Sequence, residues 1–246
     1  MTTQPAVPLD PTEVLSRIDS DPRPIETTTT VRHPALVVQP RRGHPADPLV
    51  DVLLAHGLDP VVLAADDDDS LPDPGSSPLA ILVGPHALSD VRTDGRLQRE
   101  LEWVRRADAA GTAVLGIGHG ARVLALAFCG TVQPAERPLR GWSMVDTIVP
   151  HVIPSGPWLA WQHDVITLPP AAQLLAHNRL GPQAFRIGRH LAVQFHPEAT
   201  PDALAGWAGA ADASGDAANP VTVIKRDPVA AAACSQRVLS SFVSGI

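Results

Sequence analysis

Short apolar runs alternate with helical segments through the first half of the chain, and this rhythm limits the fold more than any other feature. The strand-like runs cover residues 35–39, 60–64, 79–83 and 113–117, and apolar residues at helical spacing occupy 49–54 and 97–110. Continuous apolar strands separated by helices are typical of a parallel sheet that is covered on both faces. We therefore predict an α/β fold with a mostly parallel central sheet.

The second half of the chain has a different pattern. Its apolar runs are short and separated by turn residues, at 143–149, 157–161, 165–168, 184–187 and 191–195. This pattern indicates mixed or antiparallel strands added to the parallel core. Two helical segments follow, at 201–211 and 228–243.

The first 33 residues are rich in Pro, Thr and Asp and show no sustained apolar period. We expect residues 1–33 to be a disordered N-terminal tail and residues 34–246 to form one domain. The acidic run 66–69 is expected to be a solvated loop, since four consecutive carboxylates rarely do more than aid solubility.

Composition and charge exclude several classes of protein. Acidic residues outnumber basic ones by 26 to 19, which argues against a bulk affinity for nucleic acid phosphates. No apolar run approaches the roughly 20 residues of a membrane-spanning helix, and no secretory signal is apparent. Cys129 and Cys234 lie in apolar helical stretches, which favours buried free thiols in a reducing compartment. We predict a cytoplasmic protein that needs no cofactor.

A glycine-rich turn follows the fourth strand. Residues 115–122 read Leu-Gly-Ile-Gly-His-Gly-Ala-Arg, and an apolar helix begins at once. A turn of this type presents its central side chain at the top of a sheet, and the backbone N–H after it stabilises developing negative charge. The central residue here is Gly118, so no nucleophile stands at the position where the turn would place one.

A second group of polar residues lies near the end of the last predicted strand. The run 193–198 reads Val-Gln-Phe-His-Pro-Glu. Alternate residues of a strand share a face, so His196 and Glu198 are expected to point the same way. A carboxylate can hold one imidazole nitrogen and leave the other as a general base, which is the orienting half of a Cys/His/Glu triad.

These motifs, taken in order, resemble those of class I glutamine amidotransferases, and in particular the stand-alone GMP-synthase-type subset. The resemblance covers about residues 35–207. It rests on the glycine-rich turn, on the run 194–198, and on four further segments: Leu82–Pro85, Trp161–Asp164 with Leu168–Pro170, 174–176 and 183–188.

The resemblance implies a flavodoxin-like domain that hydrolyses glutamine through a cysteine thioester and passes ammonia to a synthase partner. Residue 118 would be the nucleophile position, with His196 as the base and Glu198 as the residue that orients it. The backbone of Gly84 and His119 would form the oxyanion hole. Because Gly118 replaces the cysteine, the covalent step is lost.

The resemblance also implies a substrate side, and here the sequence departs from the family twice more. Gln162 and His163 fall in the substrate-side loop, where they either contact a ligand or form a solvated turn. Arg122 replaces the glutamine common on the helix after the turn, and it could bind a carboxylate ligand or pair with a neighbouring acid. The Gly-Gly-Pro loop is shortened to Val83-Gly84-Pro85.

Three departures at one site favour a degenerate homologue: a binding, regulatory or partner-associated module for a glutamine-like or anionic small molecule. Any synthase or ammonia acceptor is expected to be a separate chain. A second hypothesis is non-covalent chemistry, with His196 as general base, His119 as a second acid/base and Arg122 as the anchor of an anionic substrate. A third is an active glutaminase whose cysteine was replaced by substitution.

His119 has two possible roles: it is either a second acid/base or a residue that only lines the turn. A metal site built from His119, His196 and Glu198 has suitable ligand types. We disfavour it because ligand spacing of the helical kind is absent.

Overall fold

The computed structural model describes residues 33–39, 47–64, 71–84, 95–200, 207 and 228–245. The predicted tail, apart from His33, and the predicted helix 201–211, apart from Trp207, lie outside these residues. So does the acidic run 66–69.

Helices and strands alternate up to the fourth strand, as the apolar pattern predicts. The described elements are β1 His33–Gln39, α1 Asp47–Ala55, β2 Leu58–Ala64, a short 3-10 helix Pro74–Ser76, β3 Leu79–Gly84, α2 Arg96–Ala110, β4 Ala113–Gly118, α3 His119–Ala127, β5 Thr131–Thr147, β6 Gly156–Thr167, β7 Gln173–Asn178, β8 Gly181–Ile187, β9 His190–Val193 and α4 Pro228–Val243. Helix α4 has the predicted bounds, and α2 begins one residue early.

The described strands form one mixed sheet in the order β2-β1-β3-β4-β9-β8-β7-β5-β6. Strands β2, β1, β3, β4 and β9 run parallel. The pairings β9–β8, β8–β7, β7–β5 and β5–β6 are antiparallel. The prediction of a mostly parallel sheet was therefore only partly right. The connections from β7 to β9 are short, and a short turn can join only antiparallel neighbours.

Helices cover both faces of the parallel strands. Alternate strand residues point to opposite faces, which gives two apolar clusters. On one face α1 and α4 pack against the sheet, with Leu49 and Phe242 in the cluster, and on the other α2 and α3 do so, with Val104 and Leu124. Strands β3 and β4 are buried along their whole length, which explains their continuous apolar sequence.

Two predictions from composition are tested by the described residues. Both cysteines are free thiols, but Cys129 is exposed rather than buried, and Cys234 is partly buried. Helix α3 ends at Ala127, and Cys129 lies beyond it with a φ of 69°. Across the described part of the chain, no helix combines the length and the apolar character needed to cross a membrane.

Candidate functional site

A sharp turn joins β4 directly to α3, and we call its residues 116–120 the elbow. Gly118 ends the strand with φ 56° and ψ −105°, and His119 begins the helix. The neighbouring glycines let the helix approach the sheet. A Cβ on Gly116 would lie 2.5 Å from the Gly120 carbonyl oxygen, and one on Gly120 would collide with the carbonyl oxygen of Leu82. Side chains at these positions would push α3 away from the strands.

The carboxyl ends of three parallel strands meet at the elbow, which is the edge where open α/β sheets bind ligands. Gly84 of β3 pairs with Gly118 of β4, and β9 runs along the other side of β4. A Cβ on Gly118 would lie 2.5 Å from the Gly84 carbonyl oxygen and 2.8 Å from His196 Nε2. The structure therefore brings together Gly84, Gly118 and His196.

His196 and Glu198 form a buried pair, the His196 dyad. His196 Nδ1 lies 2.7 Å from Glu198 Oε1. The pair does not arise from strand alternation, because β9 ends at Val193; the His196 backbone N–H donates to Leu159 on β6 instead. Since a carboxylate can only accept, Nδ1 carries the proton of this bond. His196 Nε2 is buried and has no hydrogen-bond partner among the described residues.

Trp207 lies against the imidazole of the His196 dyad, a neighbour that the sequence did not single out. The ring centroids of Trp207 and His196 are 4.8 Å apart at an interplanar angle of 63°. Trp207 also meets the buried Trp161 edge to face at 5.9 Å, and the Arg140 guanidinium lies over the Trp161 ring. The indole of Trp161 is thus used in packing.

His119 points to a different carboxylate, which sequence reasoning missed. His119 Nε2 lies 2.6 Å from Glu100 Oε2, and Arg96 Nε lies 3.2 Å from Glu100 Oε1. We call Glu100 and His119 the His119 dyad. Burial raises the pKa of Glu100, but the His119 and Arg96 charges and hydrogen bonds outweigh it and lower that pKa below its ordinary value. One signal in the sequence could have indicated a buried partner for Glu100: this acidic residue falls on the apolar face of α2, beside Leu97 and Leu101.

Of the predicted substrate-side residues, Arg122 and Gln162 are buried, and both contact Asp164. Arg122 Nε is 3.4 Å from Asp164 Oδ2, and both side chains are buried. The structure thus shows Arg122 paired with a neighbouring acid. Gln162 Nε2 donates to the Asp164 carbonyl and its oxygen accepts from Gln183. His163 is partly exposed.

The described residues include no group of three or more His, Cys, Asp or Glu side chains that could hold a metal ion. The hypothetical ligands His119 and His196 are each bound to a carboxylate of their own.

Comparison with known proteins agrees with this architecture. Residues 49–205 match the model of the class-I glutamine amidotransferase family. Over 96 residues, the chain is 34% identical to a GMP synthase (glutamine-hydrolyzing) of Thermomicrobium roseum. This match covers 36% of the chain and 18% of that protein, so the chain spans less than a fifth of the relative's length.

Solved structures share the fold at low sequence identity. A glutamine amido transferase from Methylobacillus flagellatus superposes with a TM-score of 0.72 at 18% identity, covering 87% of this chain and 96% of the other. A putative GMP synthase subunit from Thermoplasma acidophilum gives a TM-score of 0.57 at 21% identity, covering 75% and 98%. Because the family model matches more than half of its residues, the chain belongs to the class-I glutamine amidotransferase family.

Proposed function

We propose that this protein is an amidotransferase-like binding or regulatory module that does not hydrolyse glutamine through a thioester. The observation that carries the proposal is Gly118 itself, at the centre of the elbow and opposite His196 Nε2. A thioester needs a side-chain nucleophile at this point. The base and its carboxylate are present, but there is no thiol for them to activate.

The crowding at residue 118 supports the same conclusion. Distances of 2.5 and 2.8 Å from a Cβ to His196 are shorter than real Cβ contacts, so the imidazole already occupies space that a side chain at this position would need. The Gly84 carbonyl oxygen also lies 2.5 Å from this point, and a backbone atom cannot turn aside as a side chain can. The site is therefore adapted to glycine.

The expected loss of rate is large. In a well-studied serine protease triad, removing the nucleophile lowers turnover by about 10⁶. Oxyanion stabilisation of a few kcal/mol offsets only part of such a loss of rate. A protein without a residue-118 nucleophile should thus release ammonia from glutamine at a rate too low to supply a synthase.

Binding is the role that remains for the site. We propose Arg122, Gln162 and His163 as the substrate side, for a glutamine-like or anionic small molecule. Asp164 balances the Arg122 charge, and His163 is the member of this set that reaches solvent. Because one relative is named as a GMP synthase and another as a component of one, we propose a separate synthase or ammonia-acceptor chain as the partner, in the cytoplasm.

A second candidate function is non-covalent hydrolysis, and one observation favours it. The His196 dyad is intact at 2.7 Å, and the buried Nε2 is left without a partner among the described residues, so it could take a proton from water. This candidate predicts that His196→Gln abolishes a measurable conversion while folding is kept.

The test of the first proposal is ammonia release from glutamine. We expect the wild type and His196→Gln to release ammonia at the same background rate. Gly118→Cys should stay far below the rate of an ordinary glutaminase, because its side chain displaces the imidazole of His196. Wild-type turnover at a rate normal for a glutaminase would overturn the proposal. Full activity in Gly118→Cys would instead favour a recently lost or substituted cysteine.

Calorimetric titration with glutamine and glutamate tests the binding role. We expect His163→Ala to weaken binding of whichever ligand is taken up. The matched control is His151→Ala, since His151 is exposed and lies outside the proposed substrate side. Lack of binding by the wild type would remove the small-molecule role and leave association with a partner.

A further inference from the structure

Helix α3 begins without a side-chain cap. Its N-cap residue is Gly118, which has no side chain to accept a hydrogen bond from the first turn. In most helices a Ser, Thr, Asp or Asn at this position accepts such a bond and stabilises the first turn. The start of α3 must therefore be held by contacts from elsewhere.

The His119 dyad supplies such a contact. His119 is the first residue of α3, and its imidazole is tied by a 2.6 Å bond to Glu100 on α2. Arg96, one turn earlier on α2, holds the second oxygen of the same carboxylate. All three side chains are buried, with exposed fractions of 1, 2 and 8% for His119, Glu100 and Arg96, so the contact is shielded from water.

The charge of this cluster suits the start of a helix. A helix N-terminus carries a partial positive charge and is stabilised by a nearby carboxylate. Burial opposes ionisation of Glu100, but His119 and Arg96 keep its pKa below the ordinary value, so the carboxylate is ionised at neutral pH. It can then only accept, and His119 Nε2 must carry the bonded proton.

We propose that Glu100 is a positioning residue that acts through His119 to fix the first turn of α3 and the direction of the residue-119 backbone N–H. The proposal rests on the proposed function in one respect: this N–H is taken to face the ligand. Glu100 itself touches neither ligand nor reacting atoms. It holds the first turn through the His119 side chain, and not by accepting from a backbone N–H as a cap would.

The test is backbone amide hydrogen exchange on the full chain, followed by NMR. We expect Glu100→Ala to speed exchange at residues 122–124, whose N–H groups bond to the carbonyls of residues 118–120, about tenfold or more relative to residues 125–127, since a hydrogen bond to an ionised group is among the strong ones. Glu100→Gln should restore part of the protection, because its amide oxygen still accepts from His119. The matched control is Glu102→Ala, an exposed position on α2.

The result has two clear readings. A rise at the N-terminal end of α3 that exceeds the uniform rise from lower overall stability, with partial rescue by Gln, supports positioning. An even rise along all of α3, or the same effect from Glu102→Ala, overturns it. If Glu100→Ala does not fold, His119→Leu removes the dyad without leaving a cavity and should give the same local rise. Because exchange needs no ligand, failure of glutamine binding would contradict the proposed function without changing this result.

Discussion

Two histidine–carboxylate dyads flank the elbow, and they differ in which nitrogen is bonded. In the His196 dyad, Nδ1 is bonded to Glu198 at 2.7 Å; in the His119 dyad, Nε2 is bonded to Glu100 at 2.6 Å. Nε2 is the nitrogen at the far end of the ring, and Nδ1 is the one near the backbone. The His196 dyad therefore aims its open nitrogen away from its own chain, toward residue 118, whereas the His119 dyad uses the far end of the ring as an anchor.

On the two proposals above, similar chemistry serves two purposes in one site. An imidazole that is held near its backbone can present its far nitrogen to a neighbouring residue. An imidazole that is held at its tip can fix its own backbone in place. In this protein the residue opposite His196 Nε2 is a glycine, while His119 keeps its bond to a carboxylate that Arg96 also contacts.

The largest expected effect on the free energy of unfolding comes from removing the carboxylates of the two dyads, Glu100 and Glu198, one at a time. Glu100→Ala should cost about 3–5 kcal/mol of unfolding free energy, because it takes a carboxylate from the permanently charged, buried Arg96. Glu198→Ala should cost about 1–3 kcal/mol, since it removes the acceptor of the buried His196 Nδ1–H and leaves no permanent charge behind. Urea unfolding measures both, with exposed Glu102→Ala expected within about 0.5 kcal/mol of wild type. An equal or larger cost for Glu198→Ala would contradict the comparison.

The second prediction concerns the crowding between the His196 dyad and the elbow. Gly118 and Gly188 have nearly the same φ, 56° and 54°, but a Cβ on Gly188 would meet nothing within 4 Å. Gly188→Ala should cost about 1–2 kcal/mol for backbone strain alone. Gly118→Ala should cost a further 1–3 kcal/mol or so, because its Cβ meets the Gly84 carbonyl oxygen and displaces His196. Equal costs in urea unfolding would mean that both neighbours move aside freely.

A third histidine–carboxylate pair, far from the elbow, tests pH dependence. His190 Nδ1 accepts from the Val114 N–H, and its Nε2 lies 3.1 Å from Asp108 Oδ1. Burial lowers the pKa of His190 below its ordinary value, although Asp108 acts in the opposite direction. In an unfolded chain the pKa of a histidine is about 6.5.

As the pH falls, His190 therefore binds a proton in the unfolded chain at a higher pH than it does in the folded protein. The stability contributed by the uncharged His190 is fully present above about pH 6.5 and is lost as the pH falls toward the folded pKa, at up to about 1.4 kcal/mol per pH unit. Urea unfolding between pH 8 and pH 5 should show this slope. His190→Gln should flatten it and exposed His151→Gln should not; an unchanged slope in His190→Gln would assign it to other groups.

The smallest expected effect is at the aromatic contact with the His196 dyad. Trp207→Phe should cost about 0.5–1.5 kcal/mol through the lost edge contact with His196. A double-mutant cycle with His196→Ala isolates this coupling, and Trp142→Phe, another partly buried tryptophan, is the control. A coupling energy of zero would show that Trp207 does not hold the imidazole.

Much of the site could be predicted because its members are close in sequence or follow a strand. The elbow glycines follow a buried strand. Only Pro197 separates His196 from Glu198, so backbone geometry alone keeps these two near each other. The parallel half of the sheet was likewise predicted from its continuous apolar runs. Glu100 was not found, because pattern analysis treats α2 as an apolar stripe and gives no partner for an acid within it.

What the sequence determined by itself is therefore local: the alternation of strands and helices, the glycine turn at residue 118, and the absence of a side chain there. The packing of helices on the sheet decided the rest, including the pairing of Arg122 with Asp164 and of His119 with Glu100. The reason is that spacing along the chain specifies which face a residue occupies. Which distant side chain contacts that residue depends on how the helices and strands pack. Glu100 and His119, for example, are 19 positions apart along the chain.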